Sequence, residues 1–432
     1  MWKDPSQVLA SVPRLLTQRR TLIYVLVGLF FISFTVRAVY LVEVTGIDWP
    51  LEGDEGAYHG IATGFVDGEG WGTEGGKSER APLLSFLLSG VYLLTGNSTS
   101  AARWAVVLFS SLVAPVLLLT VYRLVGRSDV ALLVAGAWVL YPPSIWYSGR
   151  ILTETTSALL VVGSLGAYLW AAKGRGVWPI LICGALFGLL ALNRAVYLFL
   201  PIALLATQIV LSRLGPLEWS WSRRDWVMGL AAFAVVMTPW TLRNYIEHGV
   251  FMPHTTQGGT LLLISNGTLE SRFIRDGAYY KNPELRRLVS LESETEVERD
   301  SVSRRLALEE MRRNWNLLPE AVFNRAKNFW TTRPDPYDST WTTNDWIMLA
   351  IWGPTLAFFA ASSLVRSWRH YWPALLIILY AFIFTLPFWG TPRFRFPVDT
   401  VIVTGAAVGF LEVSGFVRSV FVRRYRQVRM SI

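Results

Sequence analysis

The chain is poor in cysteine, histidine and charge. Among its 432 residues only one is cysteine, Cys183, and only four are histidine. A single cysteine excludes a disulfide framework and a thiolate metal site, and the four histidines share no metal-ligand spacing. Charged residues make up 16% of the chain, whereas a soluble globular domain carries about 25%. With 52% hydrophobic residues and a mean hydropathy of +0.37, this composition predicts a polytopic membrane protein.

The net charge of +9 does not indicate nucleic acid as a partner. The arginines lie in short clusters between apolar segments, which is the pattern of cytoplasmic loops that face anionic lipid. Gly75-Gly76-Lys77-Ser78 resembles the end of a phosphate-binding loop, but Trp71 stands where that loop needs its first glycine. The sequence shows no dinucleotide-type glycine turn and no internal repeat. We therefore expect membrane lipids, and no nucleic acid, among its partners.

About ten apolar segments approach the roughly 20 residues that cross a hydrocarbon core. They cover residues 21–41, 104–122, 130–147, 157–172, 178–192, 196–211, 226–242, 346–365, 372–388 and 398–417. Pro82–Thr95 is too short to cross and predicts an interfacial helix instead. Arg14, Arg19 and Arg20 before the first span place the N-terminus inside by the positive-inside rule, and the predicted inside loops also carry basic residues. The sequence thus predicts an all-α polytopic membrane protein with outer juxtamembrane helices.

This topology divides the chain into three parts. Residues 1–243 form an N-terminal transmembrane module whose first outer loop is 42–103. Residues 244–344 form a small soluble extracytoplasmic domain, which opens with extended sequence at His254–Asn266. Residues 345–432 add the C-terminal transmembrane helices and a basic cytoplasmic tail.

Acidic and basic side chains collect on the predicted outer face. They comprise Asp54, Glu55, Tyr58, His59 and Arg80 from the first loop, Arg150 and Glu154 from residues 148–156, and Arg194, Arg243, Arg393 and Arg395. An isolated charge costs roughly 2.5–3.5 kcal/mol at the centre of a membrane and less near its interface. Glu154 and Arg194 each lie within a few residues of two apolar spans. Convergence on a functional site therefore explains these charges better than a scattered charged surface.

Such a set suits transfer from a phosphate-linked donor. A carboxylate can take a proton from an acceptor hydroxyl while a glycosyl or acyl centre is attacked. Arginine binds phosphate bidentately and can stabilise it as a leaving group. A divalent metal is the competing use of the carboxylates, but their spacing matches no defined metal loop. We expect no required cofactor and no metal site, with a divalent metal as the less favoured alternative.

Six segments resemble the GT-C superfamily of integral-membrane glycosyltransferases, in family order along nearly the whole chain. Nearest are bacterial members related to protein O-mannosyltransferases and the lipid A aminoarabinose transferase. The segments are GDEGAYHGIATGFVDGEGW (53–71), ERAPLLSFLLSGVYLLTG (79–96), YPPSIWYSGRILTET (141–155), GLLALNRAVYLFLP (188–201), PWTLRNYIEHGVFMP (239–253) and PRFRFPVD (392–399).

The resemblance implies a hexosyl- or pentosyltransferase that uses a polyprenyl-phosphate sugar and inverts the anomeric centre in a single displacement. It implies that Asp54 is the catalytic base and that Glu154 assists it. The full set of expected roles is catalysis for Asp54, Glu154 and Glu55, donor-phosphate binding for Arg80, Arg194, Arg243, Arg150 and Arg393, and substrate binding for Tyr58 and His59.

The resemblance also implies where the protein acts. Nucleotide sugars are confined to the cytoplasm, so an outward-facing transferase takes its sugar from a polyprenyl phosphate. We expect residues 1–243 to carry catalysis, in the cytoplasmic (inner) membrane of a bacterium or archaeon. Residues 244–344 show no sugar-protein signature, so the acceptor stays open among a lipid, a glycan and a protein.

Two other classes of function compete with this prediction. A transporter or flippase of a lipid-linked substrate would also place acids and arginines in a membrane cavity. Transporters commonly show inverted repeats and broken helices, whereas the spans here are predicted to be uninterrupted at their centres. A non-catalytic scaffold would give no reason for Gly53-Asp54-Glu55. A glycosyltransferase is therefore the preferred prediction.

Overall fold

The computed structural model describes residues 18–73, 76–174, 176–267, 283–333, 340–365 and 368–430. Within these ranges the chain folds into helices and contains no β-strand. This confirms the predicted all-α fold.

The helices are numbered α1 to α17 in chain order. They are α1 (Arg19–Val39, extended by a π-helical turn Tyr40–Thr45), α2 (Asp54–Val66), α3 (Pro82–Thr95), α4 (Thr99–Val125), α5 (Ser128–Val139), α6 (Pro142–Ser148), α7 (Thr153–Lys173), α8 (Val177–Asn193), α9 (Leu200–Ser212), α10 (Arg223–His248), α11 (Gly258–Asn266), α12 (Pro283–Leu291), α13 (Glu296–Arg313), α14 (Leu318–Trp330), α15 (Thr343–Val365), α16 (Trp368–Thr385) and α17 (Pro392–Met430). Two short 3₁₀ turns, Ala195–Tyr197 and Trp315–Leu317, precede α9 and α14.

Seven helices in the described part of the chain are long and apolar enough to cross a membrane, namely α1, α4, α7, α9, α10, α15 and α17. The pair α5–α6 makes an eighth if it counts as one bent span. The two remaining predicted spans, 178–192 and 372–388, fall on the shorter apolar helices α8 and α16. The chain is therefore an integral membrane protein.

The span predicted at 130–147 is broken, so the expectation of uninterrupted spans was wrong there. Helix α5 ends at Val139, and α6 starts at Pro142 after a bend of 52°. Pro142 and Pro143 have no backbone N–H, so they cannot continue the hydrogen bonding of α5. The bend leads the chain directly towards the start of α7, where Glu154 lies.

Helices α2 and α3 form a packed pair of short helices between the spans α1 and α4. Helix α3 has the predicted bounds, with proline at its start and Gly96 in the left-handed conformation at its end. Tyr58 and Ala62 of α2 pack against Leu84 and Leu88 of α3 in a buried cluster. This packing fixes α2, which carries Asp54, against the spans.

The segment 244–344 is more helical than predicted at its start. His254–Asn266 was expected to be extended, but it contains α11. Asp300 of α13 accepts hydrogen bonds from the backbone N–H groups of Gly259 and Thr260, so a residue remote in sequence satisfies the helix N-terminus. A Cβ on Gly259 would lie 1.9 Å from the Asp300 carbonyl oxygen, so only glycine fits.

The same segment packs onto the ends of the last spans. Arg325 of α14 is buried and donates hydrogen bonds to the carbonyls of Ser265 (2.7 Å) and Pro387 (3.3 Å). The Phe329 ring lies 5.2 Å from that of Phe382 in α16. These contacts link α11, α14 and α16 around the loop that precedes α17. The domain boundaries at 243 and 344 stay a prediction.

Candidate active site

Asp54 is the first residue of α2. Gly53 before it has a φ of +56°, a conformation that side-chain-bearing residues rarely adopt. A carboxylate in the first turn is also stabilised by the positive end of the helix dipole. Gly53 and Asp54 therefore place a partly exposed carboxylate at the N-terminus of α2.

Two arginines hold the Asp54 carboxylate. Arg80 Nη1 lies 2.8 Å from Oδ1, and Arg393 Nη2 lies 2.8 Å from Oδ2. Burial raises the pKa of this carboxyl, but the charges of Arg393 and then Arg80 outweigh burial and lower the pKa below its ordinary value of 3.8. Asp54 is therefore ionised at neutral pH.

Glu154 is the second acid of the site and is completely buried at the start of α7. Its Oε1 atom is in contact with Arg393 Nε and lies 3.6 Å from Arg194 Nη2. Its Oε2 atom has no hydrogen-bond partner among the described residues, and neither does the buried Nη1 of Arg194. Such orphaned polar atoms are costly unless a ligand or water satisfies them.

Asn193 explains why Arg194 lies beside Glu154. Its Nδ2 donates to the Thr153 carbonyl (3.0 Å) and to Ser157 Oγ (2.7 Å), and its Oδ1 accepts from Thr156 (3.0 Å). This buried network ties the end of α8 to the first turn of α7. The Arg194 guanidinium also stacks 5.1 Å from the Phe394 ring.

Five of the expected site residues thus meet in one cluster, which we call the bridged cluster. It comprises Asp54, Arg80, Glu154, Arg194 and Arg393. Three guanidiniums and two carboxylates give it a formal charge of +1. A partly enclosed site with surplus positive charge attracts anions.

Glu55, which was expected to be catalytic, lies outside this cluster. Its Oε1 accepts from the Ile151 N–H (2.8 Å) and pairs with Arg103 (3.4 Å), and its Oε2 pairs with Arg150 (3.3 Å). Successive residues of an α-helix point about 100° apart, so neighbours on α2 face different surroundings. We call Glu55, Arg103 and Arg150 the satisfied cluster because both carboxylate oxygens of Glu55 have partners, whereas Arg103 Nε has none among the described residues. The cluster joins α2 to the connection before α7.

Arg150 and Arg243, both expected at the donor phosphate, also lie outside the bridged cluster. Arg150 pairs with Glu52 (3.0 Å) as well as with Glu55. Arg243 donates to Ser78 Oγ (2.5 Å) and stacks 5.1 Å from the Trp240 ring. Its contacts therefore join α10 to the first outer loop.

The two expected substrate-binding residues of α2 differ in position. Tyr58 is buried one helical turn after Asp54 on α2. Burial first and then the negative charge of Asp54 raise the pKa of its phenol. His59 faces α3, where its Nδ1 lies 2.8 Å from the Tyr92 hydroxyl oxygen. Burial lowers the pKa of His59, which keeps the imidazole neutral.

Two buried arginines with structural contacts were not given a role from the sequence. Arg103 bonds the carbonyls of Gly149 (2.5 Å) and Trp49 (2.7 Å), and Arg395 bonds those of Phe329 (2.5 Å) and Thr331 (2.8 Å). Arg395 also pairs with the buried Asp399 at 3.0 Å. In the sequence, Arg103 directly precedes the apolar span 104–122 and Arg395 lies close to the span 398–417, and these positions could have indicated buried arginines.

Within the described ranges no three His, Cys, Asp or Glu side chains converge as a metal-ligand set, and the expectation about cofactors stays a prediction.

Comparisons with known proteins identify the fold. No protein-family model and no curated protein matches the sequence. The archaeal oligosaccharyltransferase AglB of Archaeoglobus fulgidus, in complex with an inhibitory peptide and a dolichol-phosphate, matches with a TM-score of 0.58 at 16% identity, over 95% of this chain and 52% of AglB. The same enzyme tethered to an acceptor peptide gives 0.57 at 17% identity, over 92% and 50%.

The chain shares the fold of AglB. This match agrees with the fold expected from the GT-C resemblance of the six segments. At these identities the likeness shows the fold alone, and the chain spans about half the length of AglB. ArnT of Cupriavidus metallidurans bound to undecaprenyl phosphate matches with a TM-score of 0.45 at 15% identity, over 91% of this chain and 77% of ArnT, which is too distant to support an argument.

Proposed function

We propose that the protein is a membrane glycosyltransferase that moves a sugar from a polyprenyl-phosphate donor to an acceptor hydroxyl. The observation that carries this proposal is the bridged cluster, in which an ionised carboxylate lies beside arginines at the ends of several spans. The fold supports it, because the matching structure of AglB contains a dolichol-phosphate and an inhibitory peptide.

Asp54 is the residue that receives the proton. The acceptor hydroxyl donates a hydrogen bond to the Asp54 carboxylate and attacks C1 of the sugar from the face opposite the phosphate. The new C1–O bond forms as the C1–O bond to phosphate breaks, and the electron pair leaves with the polyprenyl phosphate. The acceptor proton passes to Asp54. A single displacement of this kind inverts the anomeric centre.

Arg194 is the main candidate for the leaving phosphate. Its Nη1 is buried without a hydrogen-bond partner among the described residues, while its Nη2 faces Glu154. A phosphate oxygen at Nη1 would satisfy that donor and would be stabilised as negative charge develops. Arg80, whose side chain is 23% exposed, can add a second donor at the edge of the cluster. Glu154 keeps Arg194 and Arg393 in position.

The active site faces away from the cytoplasm in this proposal, in the cytoplasmic membrane of a bacterium or archaeon. The arginine-rich loops between spans support this orientation through the positive-inside rule. Arg305→Cys and Arg127→Cys, each in a Cys183→Ala background, test it because both side chains are about half exposed. An impermeant thiol reagent should label position 305 from outside in intact cells and should not label position 127.

Reconstitution of the purified protein tests the reaction itself. Liposomes containing the protein are supplied with a panel of polyprenyl-phosphate sugars and a mixture of lipid, glycan and peptide acceptors, and free polyprenyl phosphate is measured. We expect one donor to be consumed and the transferred sugar to have the inverted anomeric configuration by NMR. Movement of a lipid-linked sugar across the bilayer with its phosphate bond intact would contradict the proposal and establish a transporter.

A further inference from the structure

Arg393 lies between the two acids of the bridged cluster, and one edge of its guanidinium contacts both. Nε contacts Oε1 of Glu154, and Nη2 lies 2.8 Å from Oδ2 of Asp54. Neither of these two contacts involves Nη1. Because guanidinium keeps its charge at any pH that proteins tolerate, Arg393 supplies a permanent cation where carboxylates from α2 and α7 meet.

Two carboxylates at one site need a counter-charge, and a divalent cation is one way to provide it. Such a cation binds carboxylate oxygens at about 2.0–2.6 Å. Arg393 already occupies the position between Asp54 Oδ2 and Glu154 Oε1, and Arg80 takes Asp54 Oδ1. Among these four carboxylate oxygens only Glu154 Oε2 lacks a partner in the described residues. One oxygen does not make a metal site.

The start of α17 holds Arg393 in this position. Arg395, two residues further on, is buried and bonds the carbonyls of Phe329 (2.5 Å) and Thr331 (2.8 Å) as well as Asp399 (3.0 Å). These bonds fix the first turn of α17 against α14. The guanidinium of Arg393 is therefore positioned before substrate arrives, which is the condition for effective electrostatic stabilisation.

We propose that Arg393 is the built-in cation of this site, that it takes the place of a divalent metal between Asp54 and Glu154, and that its Nη1–H group stabilises the departing phosphate. The role in turnover rests on the proposed glycosyltransferase function, whereas the role in excluding a metal does not. In the transfer step Arg393 gains and loses no proton. It balances the carboxylates before the reaction and the phosphate oxygen after the C1–O bond has broken.

The wild-type protein gives the first test. Donor consumption by the reconstituted protein is measured before and after dialysis against EDTA and again with added Mn²⁺ or Mg²⁺. Mn²⁺ binding is measured separately by the loss of the free-ion EPR signal in detergent. We expect EDTA to change the rate less than twofold and the bridged cluster to bind no Mn²⁺. A rate that collapses with EDTA and returns with Mn²⁺ would overturn the proposal.

Arg393→Ala gives the second test, with Arg304→Ala as its matched control. Arg304 is exposed on α13 and pairs with Asp300, far from the spans in sequence. Without Arg393 the two acids lose their shared cation, so we expect one Mn²⁺ per protein to bind. Metal-free turnover should fall by about 10²-fold, and Mn²⁺ should restore it at least about tenfold. The gained Mn²⁺ site should disappear in Arg393→Ala/Asp54→Asn, and Arg304→Ala should bind no Mn²⁺.

Arg393→Lys keeps the proposal testable if the alanine variant does not fold. Lysine keeps the charge but has no fork that can contact both acids at once. Its turnover should fall about tenfold and stay insensitive to EDTA. Full metal-free activity of Arg393→Ala or Arg393→Lys would contradict the proposal. If the wild-type protein consumes no donor at all, the proposed function fails, while a Mn²⁺ site gained by Arg393→Ala still supports the displacement of a metal by Arg393.

Discussion

Asp54 and Glu55 are adjacent carboxylates with opposite surroundings. In the satisfied cluster each oxygen of Glu55 has two partners, drawn from Arg103, Arg150 and backbone N–H groups. In the bridged cluster Asp54 is partly exposed, and the neighbouring acid Glu154 keeps one oxygen without a partner. A buried carboxylate whose two oxygens are both paired holds the fold together. A buried carboxylate oxygen without a partner, such as Glu154 Oε2, can accept a hydrogen bond from a ligand.

Disruption of the satisfied cluster should therefore destabilise the fold. Glu55→Ala leaves the completely buried Arg103 without its counter-charge, and removal of one partner of a buried pair costs about 3–5 kcal/mol. We expect a large drop in the thermal unfolding temperature of the purified protein in detergent. Glu55→Gln keeps the shape and should destabilise less. Normal stability of Glu55→Ala with lost turnover would reverse the comparison and place Glu55 in the chemistry.

The bridged cluster should lose activity and keep the fold. Asp54→Asn removes the group that accepts the acceptor proton, so turnover should fall by roughly 10²-fold or more, which corresponds to about 2.7 kcal/mol. The unfolding temperature should change little, because this side chain is partly exposed. Asp129→Asn is the matched control, since Asp129 is also a partly exposed carboxylate paired with an arginine, Arg127. Near-normal turnover of a folded Asp54→Asn protein would exclude Asp54 as the base.

The contrast between these neighbours could be predicted only in part from the sequence. The all-α membrane fold and the short helix Pro82–Thr95 follow from apolar length, proline and glycine. The six segments add a family resemblance to that prediction. Asp54 stands out because Gly53 permits the turn before it. The separation of Glu55 from Asp54 depends instead on Arg103, whose contact with Glu55 is a tertiary one.

The central position of Arg393 in the bridged cluster could not be predicted from the sequence either. Arg393 is 339 positions from Asp54 along the chain, and its location is set by the buried bonds of Arg395. Arg80, Arg194 and Arg243 were all expected at the donor phosphate, with Arg194 the first choice, yet Arg243 bonds Ser78 in the first outer loop. Local pattern identifies which residues carry charge, whereas the packing of distant helices decides which of them meet.

Phosphate binding should distinguish Arg194 from Arg243. Lysine keeps the charge of arginine but loses its planar fork, and one charge-assisted hydrogen bond contributes roughly 1.5–3 kcal/mol. Arg194→Lys should therefore lower kcat/KM for the donor by about ten- to a hundredfold. Arg243→Lys should lower it by less than about threefold, because its partners are Ser78 and Trp240. Equal losses in both variants would place Arg243 at the donor after all.

The pH profile offers the smallest and most specific test of the bridged cluster. Arg393 and Arg80 lower the pKa of Asp54 although burial raises it, so we expect its carboxylate form, and activity with it, to persist to lower pH than for an ordinary aspartate. Arg80→Gln removes one lowering charge while burial remains, so the acid limb of kcat/KM should move to higher pH. A shift of one unit corresponds to about 1.4 kcal/mol. Arg150→Gln is the matched change in the satisfied cluster, and it should leave the limb in place because Arg150 pairs with Glu52 and Glu55. An acid limb that moves equally in both variants would show that the two clusters titrate together, and the comparison between Asp54 and Glu55 would fail.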